Sequence, residues 1–176
     1  MSELRKANSD RAFFVTLTVV GWIDVFIRSE YCDEIIRNIE YCRKHKGLKI
    51  YAYCIMSSHI HMVVAHDDGK MPDILRDFKS YSAKRIIEMI KTGFGESRKE
   101  WMLHLFKYHA NVYNQNSEYM FWQKTNHPTE LYSNSVFDQK VDYIHRNPVE
   151  SGIVNDECSY TYSSANPDSP LIVDES

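Results

Sequence analysis

Two strand-like segments joined by only two residues constrain this fold more than any other sequence feature. Residues 49–56, KIYAYCIM, and residues 59–65, HIHMVVA, are rich in β-branched and aromatic types, and Ser57-Ser58 connects them. A parallel pair of strands needs a long crossover, so this short connection requires the two segments to pair as an antiparallel hairpin. The chain therefore contains an antiparallel sheet.

Further periodic segments surround the hairpin. Strands are also predicted at residues 13–20 and 118–124. Apolar positions at helical spacing predict amphipathic helices at about residues 29–47, 72–91, 98–112 and 134–147. The order of these elements predicts an α+β fold with a ferredoxin-like βαββαβ core, an antiparallel sheet and an additional C-terminal helix.

The length and composition indicate a single globular unit. A chain of 176 residues with 43% hydrophobic and 26% charged residues suits one domain, which we expect over residues 1–165, with a loosely ordered tail at 166–176. No segment approaches the roughly 20 apolar residues of a membrane span, so we expect a cytoplasmic protein without membrane contact. The four cysteines form no C-x-x-C pair, which favours buried free thiols over zinc ligands or disulfides.

The charge is divided along the chain. A formal net charge of −3 argues against a protein that coats DNA nonspecifically, because such binding needs many basic contacts to phosphates. Residues 70–107 nevertheless contain nine Lys or Arg against five Asp or Glu, while residues 148–176 contain six acids and no Lys or Arg. This division of charge leaves room for a basic nucleic-acid surface in the middle of the chain.

The motif His59-Ile60-His61 lies on the third predicted strand. Side chains alternate across a strand, so both histidines face one way while Ile60 faces the other. Two imidazoles side by side are suitably spaced for a shared metal ion. Eight histidines make a chance occurrence of such a motif common, yet two buried histidines without polar partners would be costly in a strand that continues Val-Val-Ala.

Tyr143 and Asn147 occupy one side of the last predicted helix. Phe137, Val141 and Ile144 form the core stripe of this helix, and Tyr143 lies roughly 120° from the stripe at about 100° per residue. Asn147 follows one turn later on the same side. The tyrosine is not needed for the core, so its hydroxyl and the Asn147 amide can point at a common site. A partly exposed structural tyrosine is the alternative.

A metal ion held by His59 and His61 would help such a tyrosine act as a nucleophile. A phenol with a pKa of about 10 reacts poorly at pH 7, and a metal that polarises the target phosphate assists it. Two neutral imidazoles leave coordination positions open for phosphate and water. The oxygen of Asn147 as a third ligand would suit Mg²⁺ or Mn²⁺ better than a closed zinc site.

Four motifs in order resemble one protein family. They are MSSHIHMVV at 56–64, FKSYSAKRI at 78–86, YIHRNPV at 143–149 and YTYSSA at 160–165. Over most of residues 12–165 the sequence resembles the single-tyrosine HUH transposases of small bacterial insertion sequences, especially the REP-associated tyrosine transposases. The resemblance implies a ferredoxin-like nuclease domain that cuts and rejoins single-stranded DNA near hairpins through a 5′-phosphotyrosine intermediate.

The resemblance also implies roles for individual residues. Tyr143 is the nucleophile, and His59, His61 and Asn147 bind a divalent metal, Mg²⁺ or Mn²⁺. Single-stranded or hairpin DNA is the partner. Candidate phosphate contacts are Arg76, Lys79, Lys84 and Arg85, and candidate base stackers are Trp101, Tyr108, Tyr113 and Trp122. Relatives act as monomers or as homodimers, so both states stay open.

Three alternatives compete with this interpretation. Tyr81 is a rival nucleophile, although Arg85 rather than Asn stands four residues later. A domesticated protein could bind hairpin nucleic acid without cutting it. An unrelated metal-dependent hydrolase could use the same pair of histidines without forming a covalent adduct.

Overall fold

The computed structural model describes residues 12–67, 70–126 and 128–175, which form a mixed α and β structure. Its strands are β1 (Ala12–Thr18), β2 (Lys49–Ile55), β3 (His59–Ala65) and β4 (Thr129–Glu130). Its α-helices are α1 (Ser29–Lys46), α2 (Met71–Thr92), α3 (Lys99–Val112) and α4 (Asn134–Glu150). Short 3-10 helices lie at Val20–Trp22, Val25–Ile27 and Glu157–Ser159. In this part of the chain, no helix is long and apolar enough to span a bilayer.

The strands form one antiparallel sheet in the order β2-β3-β1-β4. The predicted hairpin is present, with β2 and β3 joined through Met56 to Ser58 and paired along their length. On its other side, β3 pairs with β1, which sets Thr16 opposite His61. The predicted α+β class and antiparallel sheet are therefore confirmed.

The sheet carries a hydrophobic core on each face. On one face, side chains that include Ile60 and Val64 pack with residues of α1, α2 and α3. On the other face, Val63 packs in a smaller cluster with Ile144 of α4. Because side chains alternate along β3, His61 lies on the same face as Val63. The face under α4 is therefore the one that carries the histidines.

The prediction of a fourth strand at residues 118–124 is wrong. This segment is irregular and makes one isolated bridge, between Trp122 and Val19. Met120, Phe121 and Trp122 are buried in succession, whereas a strand with one face in solvent buries alternate residues. The fourth strand is instead β4, which pairs with β1 over two residues.

The four cysteines are free thiols. Cys32, Cys42 and Cys54 are buried, as predicted, whereas Cys158 is exposed. Burial raises the pKa of Cys32 and of Cys54 to about 12, so both thiols stay protonated at neutral pH. The buried three act as small apolar side chains.

Several residues of the segment 166–175 contact the rest of the domain, and the loosely ordered tail expected at 166–176 stays a prediction. Leu171 is 1% exposed and belongs to the larger core. The Asp174 carboxylate accepts hydrogen bonds from the Ile50 backbone N–H at 2.8 Å and from Arg43 at 2.8 Å. These anchors depend on distant partners, so the polar sequence around them gives no local signal.

Parts of the expected domain and tail lie outside the described residues. They are residues 1–11, 68–69 and 127 of the expected domain 1–165, and Ser176 of the expected tail 166–176. The boundary at residue 165 stays a prediction.

The packing of the tail can be tested by two adjacent substitutions. Leu171→Ala removes a buried side chain and is expected to lower the free energy of unfolding by about 2–4 kcal/mol. Ile172 is 82% exposed, so Ile172→Ala is expected to change it by less than about 0.5 kcal/mol. Urea unfolding followed by circular dichroism measures both values. Equal small effects would show that the tail does not pack on the core.

Candidate active site

His59 and His61 form a pair on the surface of β3. Their ring centroids are 4.7 Å apart with an interplanar angle of 75°. His59 is half-buried, while His61, nearer the middle of the sheet, is 5% exposed. The strand alternation predicted from the sequence thus brings both imidazoles to one place.

Hydroxyl groups engage one nitrogen of each histidine. Thr16 Oγ1 lies 2.9 Å from Nδ1 of His61, across the β1–β3 pairing. Ser58 Oγ lies 3.3 Å from Nδ1 of His59. Within the described ranges, Nε2 of each ring makes no hydrogen bond. Outer partners of this kind fix the orientation of metal-binding histidines and leave the other nitrogen for the metal.

Burial keeps both imidazoles uncharged. Desolvation, assisted by the charges of His59 and Lys140, lowers the pKa of His61 to about 3. Desolvation also lowers the pKa of His59, against an opposing effect of the Asp24 carboxylate. Both rings are therefore neutral at pH 7, which is the form that ligates metal ions.

Tyr143 of α4 lies beside the histidine pair. Its ring centroid is 5.3 Å from that of His61, edge to face, and 5.8 Å from that of Phe14. Phe14 in turn stacks on His61 at 5.5 Å with an interplanar angle of 21°. Ile144, the next residue of α4, is fully buried and fixes the rotation of the helix. Tyr143 itself remains 41% exposed, so part of the residue is accessible from solvent.

Lys140 adds a cation that the sequence analysis did not identify. Its Nζ lies 4.6 Å from the centre of the Phe14 ring and 5.5 Å from that of Tyr143. The position three residues before Tyr143 places both side chains on one side of α4. The spacing can be recognised in the sequence, but it indicates a role for Lys140 only once Tyr143 is assigned to the site.

Asn147 lies one turn after Tyr143 in α4 and is buried. Its helical position puts it on the same side as Tyr143, although no hydrogen bond joins it to His59 or His61 within the described residues. In the same part of the chain, no three His, Cys, Asp or Glu side chains are grouped so as to hold a metal. The two imidazoles fit two positions of a metal site, and a third ligand from the described residues would have to be of another type.

Tyr81, the rival nucleophile, lies on the opposite side of the sheet. It is exposed on α2 and lines a groove of about 730 Å³ between α1 and α2. The core residues of α2 pack on the face of the sheet that Ile60 shares, whereas the histidines face α4. The structure thus brings Tyr143, and not Tyr81, to the histidines.

Three of the four predicted phosphate contacts have partners within the chain. Arg76 pairs with Asp73 and Asp77. Lys79 is half-buried and donates hydrogen bonds to two backbone carbonyls, those of Gln123 and Lys124; burial lowers the pKa of its ammonium group. Arg85 pairs with Glu34 at 3.3 Å. The fourth residue, Lys84, is exposed and forms no ion pair among the described residues.

The predicted base stackers differ in exposure. Trp122 is buried, and its indole N–H donates to Ser82 Oγ at 3.0 Å, so it is a core residue. Trp101, Tyr108 and Tyr113 are exposed. Sequence reasoning missed Trp22, whose ring lies 5.4 Å from that of His59, because no periodic pattern in the sequence places it beside the histidines.

Comparison with known proteins gives matches at the levels of family and fold. Residues 24–123 match the family of IS200-like transposases. A solved REP-associated tyrosine transposase bound to a REP hairpin is similar in structure, with a TM-score of 0.61, 16% identity, and coverage of 93% of this chain and 82% of that one. A protein of Deinococcus radiodurans R1 described as a transposase has a TM-score of 0.48, 16% identity, and coverage of 76% and 87%. No curated protein matches the sequence.

The family match covers β2, β3, α1, α2 and α3, and therefore includes both histidines; it ends before α4 and Tyr143. The structural similarity at 16% identity extends the likeness in fold over 93% of the chain. Because the family match covers more than half of the 176 residues, the chain belongs to the IS200-like transposases.

Proposed function

We propose that this transposase cuts and rejoins single-stranded DNA near hairpins through a covalent link between Tyr143 and a 5′ phosphate. The observation that carries the proposal is the 5.3 Å contact between the rings of Tyr143 and His61, which joins a helix late in the chain to the histidine pair. Membership of a transposase family supports a DNA-cleaving enzyme. The REP hairpin bound by the similarly folded transposase supports hairpin DNA as the partner.

The chemistry is a transfer of one phosphodiester bond to the tyrosine. The Tyr143 oxygen bonds to phosphorus as the bond from phosphorus to the 3′ oxygen breaks. The phenol proton passes to water, and the 3′ oxygen takes up a proton and leaves as a hydroxyl. The 3′ hydroxyl of a second strand can then attack the phosphotyrosine, which restores a phosphodiester and the free phenol. One bond replaces another in each step, so no ATP is needed.

The proposed metal ligands are Nε2 of His59, Nε2 of His61 and the side-chain oxygen of Asn147, with Mg²⁺ or Mn²⁺ as the ion. When bound, the ion would polarise the scissile phosphate toward attack. Lys140 would offset phosphate charge from the side of Tyr143. Lys84 is proposed as a phosphate contact. The remaining candidates, Arg76, Lys79 and Arg85, would have to exchange their present partners for phosphates.

The nucleophile assignment is tested by a pair of tyrosine substitutions. The protein is incubated with Mn²⁺ and labelled single-stranded hairpin oligonucleotides with randomised flanks, and the products are separated on a denaturing gel. Tyr143→Phe is expected to abolish the covalent protein-DNA adduct because it removes the attacking oxygen. Tyr81→Phe is expected to leave the adduct, since Tyr81 lies on the other side of the sheet.

The same gel distinguishes the alternatives. Binding without adduct or cleavage would support a protein that only recognises hairpins. Free cleavage products without an adduct would support a metal-dependent hydrolase. Loss of the adduct in Tyr81→Phe and its retention in Tyr143→Phe would reverse the assignment.

The role of the outer hydroxyl is tested by Thr16→Val. Valine keeps the shape of threonine and removes the oxygen beside His61 Nδ1, so metal affinity or activity should fall by roughly 10- to 100-fold. Thr18→Val is the control, because Thr18 lies on the same face of β1 but forms no side-chain hydrogen bond within the described ranges. The Mn²⁺ concentration that gives half-maximal adduct formation is compared for both variants. An equal shift in both would contradict the proposed role of Thr16.

We also propose that one chain supplies a complete active site, because Tyr143 contacts His61 of its own chain. His61→Ala and Tyr143→Phe are each expected to be inactive, and a mixture of the two variants should stay inactive. Recovery of adduct formation in the mixture, measured on the same gel, would instead indicate a dimer in which each tyrosine serves the partner's histidines.

A further inference from the structure

A tryptophan at the rim of the candidate active site is largely exposed to solvent and contributes little to the hydrophobic core. Trp22 is 59% exposed, and its ring lies 5.4 Å from the His59 ring, edge to face. Most of the indole stays in water, so burial does not explain its position. The contact with His59 places a flat, apolar surface directly beside the histidine pair.

The backbone holds this side chain in an unusual conformation. Gly21 and Trp22 both have positive φ angles, 62° and 55°. The left-handed region disfavours a residue with a bulky side chain, and such conformations persist only where surrounding contacts enforce them. They are found disproportionately at binding and catalytic sites.

The contacts that enforce this turn lie on both sides of it. The Trp22 backbone N–H donates to the Val19 carbonyl at 3.1 Å, and the Val20 N–H donates to the Phe121 carbonyl at 2.8 Å. Val20 and Ile23, which flank the turn, are buried. A side chain at Gly21 would come within 2.8 Å of His109 Nε2, so α3 packs directly against the turn. The exposed indole is therefore presented on a rigid support.

We propose that the Trp22 indole stacks on an unpaired DNA base next to the scissile phosphate. This inference rests on the proposed function, in which the phosphate lies at His59 and His61. A phosphate at that position brings a neighbouring base to the rim where Trp22 stands. Every base presents a flat face, so stacking of this kind binds single-stranded DNA with little sequence preference. A rigid aromatic support loses little entropy on binding.

The surface beyond the turn continues with chemistry suited to a DNA strand. Gly21 also lines a cavity of about 380 Å³ together with His109, Tyr113 and Lys124. The rings of His109 and Tyr113 are stacked at 6.2 Å with an interplanar angle of 13°. Lys124 Nζ lies 5.8 Å from the centre of the Tyr113 ring. Aromatic faces with a nearby cation offer both base and phosphate contacts to the next nucleotide.

The inference is tested by binding of two defined probes, fluorescein-labelled dT10 and an abasic ten-nucleotide strand with the same phosphates. Binding is measured by anisotropy with Mg²⁺ in the Tyr143→Phe background, where no adduct can form. Trp22→Leu is expected to weaken dT10 binding roughly 5- to 100-fold and to leave binding of the abasic strand unchanged. Trp22→Phe keeps a flat ring, so its affinity for dT10 should lie between those of the unsubstituted protein and Trp22→Leu.

Tyr41→Leu provides the matched control. Tyr41 is 56% exposed on α1, which packs on the opposite side of the sheet, so its loss should leave dT10 binding unchanged. An equal loss of dT10 and abasic binding in Trp22→Leu would overturn the inference, because the effect would then act through phosphates or the turn. Unchanged binding of both probes would overturn it as well.

A fluorescence measurement leaves Trp22 in place and so avoids any effect of its replacement on folding. The chain has three tryptophans; Trp122 is buried, and Trp101→Phe leaves Trp22 as the exposed one. Saturating dT10 should quench its emission while the abasic strand should not, and equal quenching by both would contradict stacking. Because neither measurement requires cleavage, the stacking inference and the covalent mechanism can fail separately.

Discussion

The antiparallel pairing of β1 with β3 is the constraint on which the candidate active site depends. It sets Thr16 opposite His61 and thereby supplies the hydroxyl that engages Nδ1. A shift of one residue would turn both histidines into the core beneath α1 and α2, because side chains alternate with a period of two. Leu17 and Ile60, which are opposite each other and fully packed in that core, oppose such a shift.

Apolar residues of α4 determine where the tyrosine lies. Phe137 and Ile144 are buried against the sheet, and Ser133 caps the first turn by accepting a hydrogen bond from the Val136 N–H. These anchors fix the rotation of the helix about its axis, so Tyr143 must project along the sheet toward His61. The position of the proposed nucleophile therefore follows from core packing on residues that take no part in the chemistry.

The fold class, the hairpin and the helices could be predicted because each depends on local periodicity or a short connection. The irregular conformation of residues 118–124 could not be predicted, because contacts with distant residues decide whether this segment pairs as a strand. The histidines and Tyr143 could be proposed as site residues because each lies on one side of a predicted strand or helix. Whether their side chains lie close together depends on how that helix packs on the sheet. Trp22 was missed because a left-handed turn directs its side chain, and turns of that kind have no periodic pattern.

The placement of charge explains how a chain with a formal net charge of −3 can act on a polyanion. Arg76, Lys79 and Arg85 already bond within the chain, so among the four predicted phosphate contacts of α2 only Lys84 has no such partner in the described residues. Every ligand of the proposed metal site is neutral, because burial keeps the imidazoles uncharged and Asn147 carries an amide. A carboxylate ligand would cancel part of the charge of a divalent ion, whereas neutral ligands leave it directed at the phosphate. In the proposed site, positive potential would thereby be concentrated where negative charge develops during phosphoryl transfer.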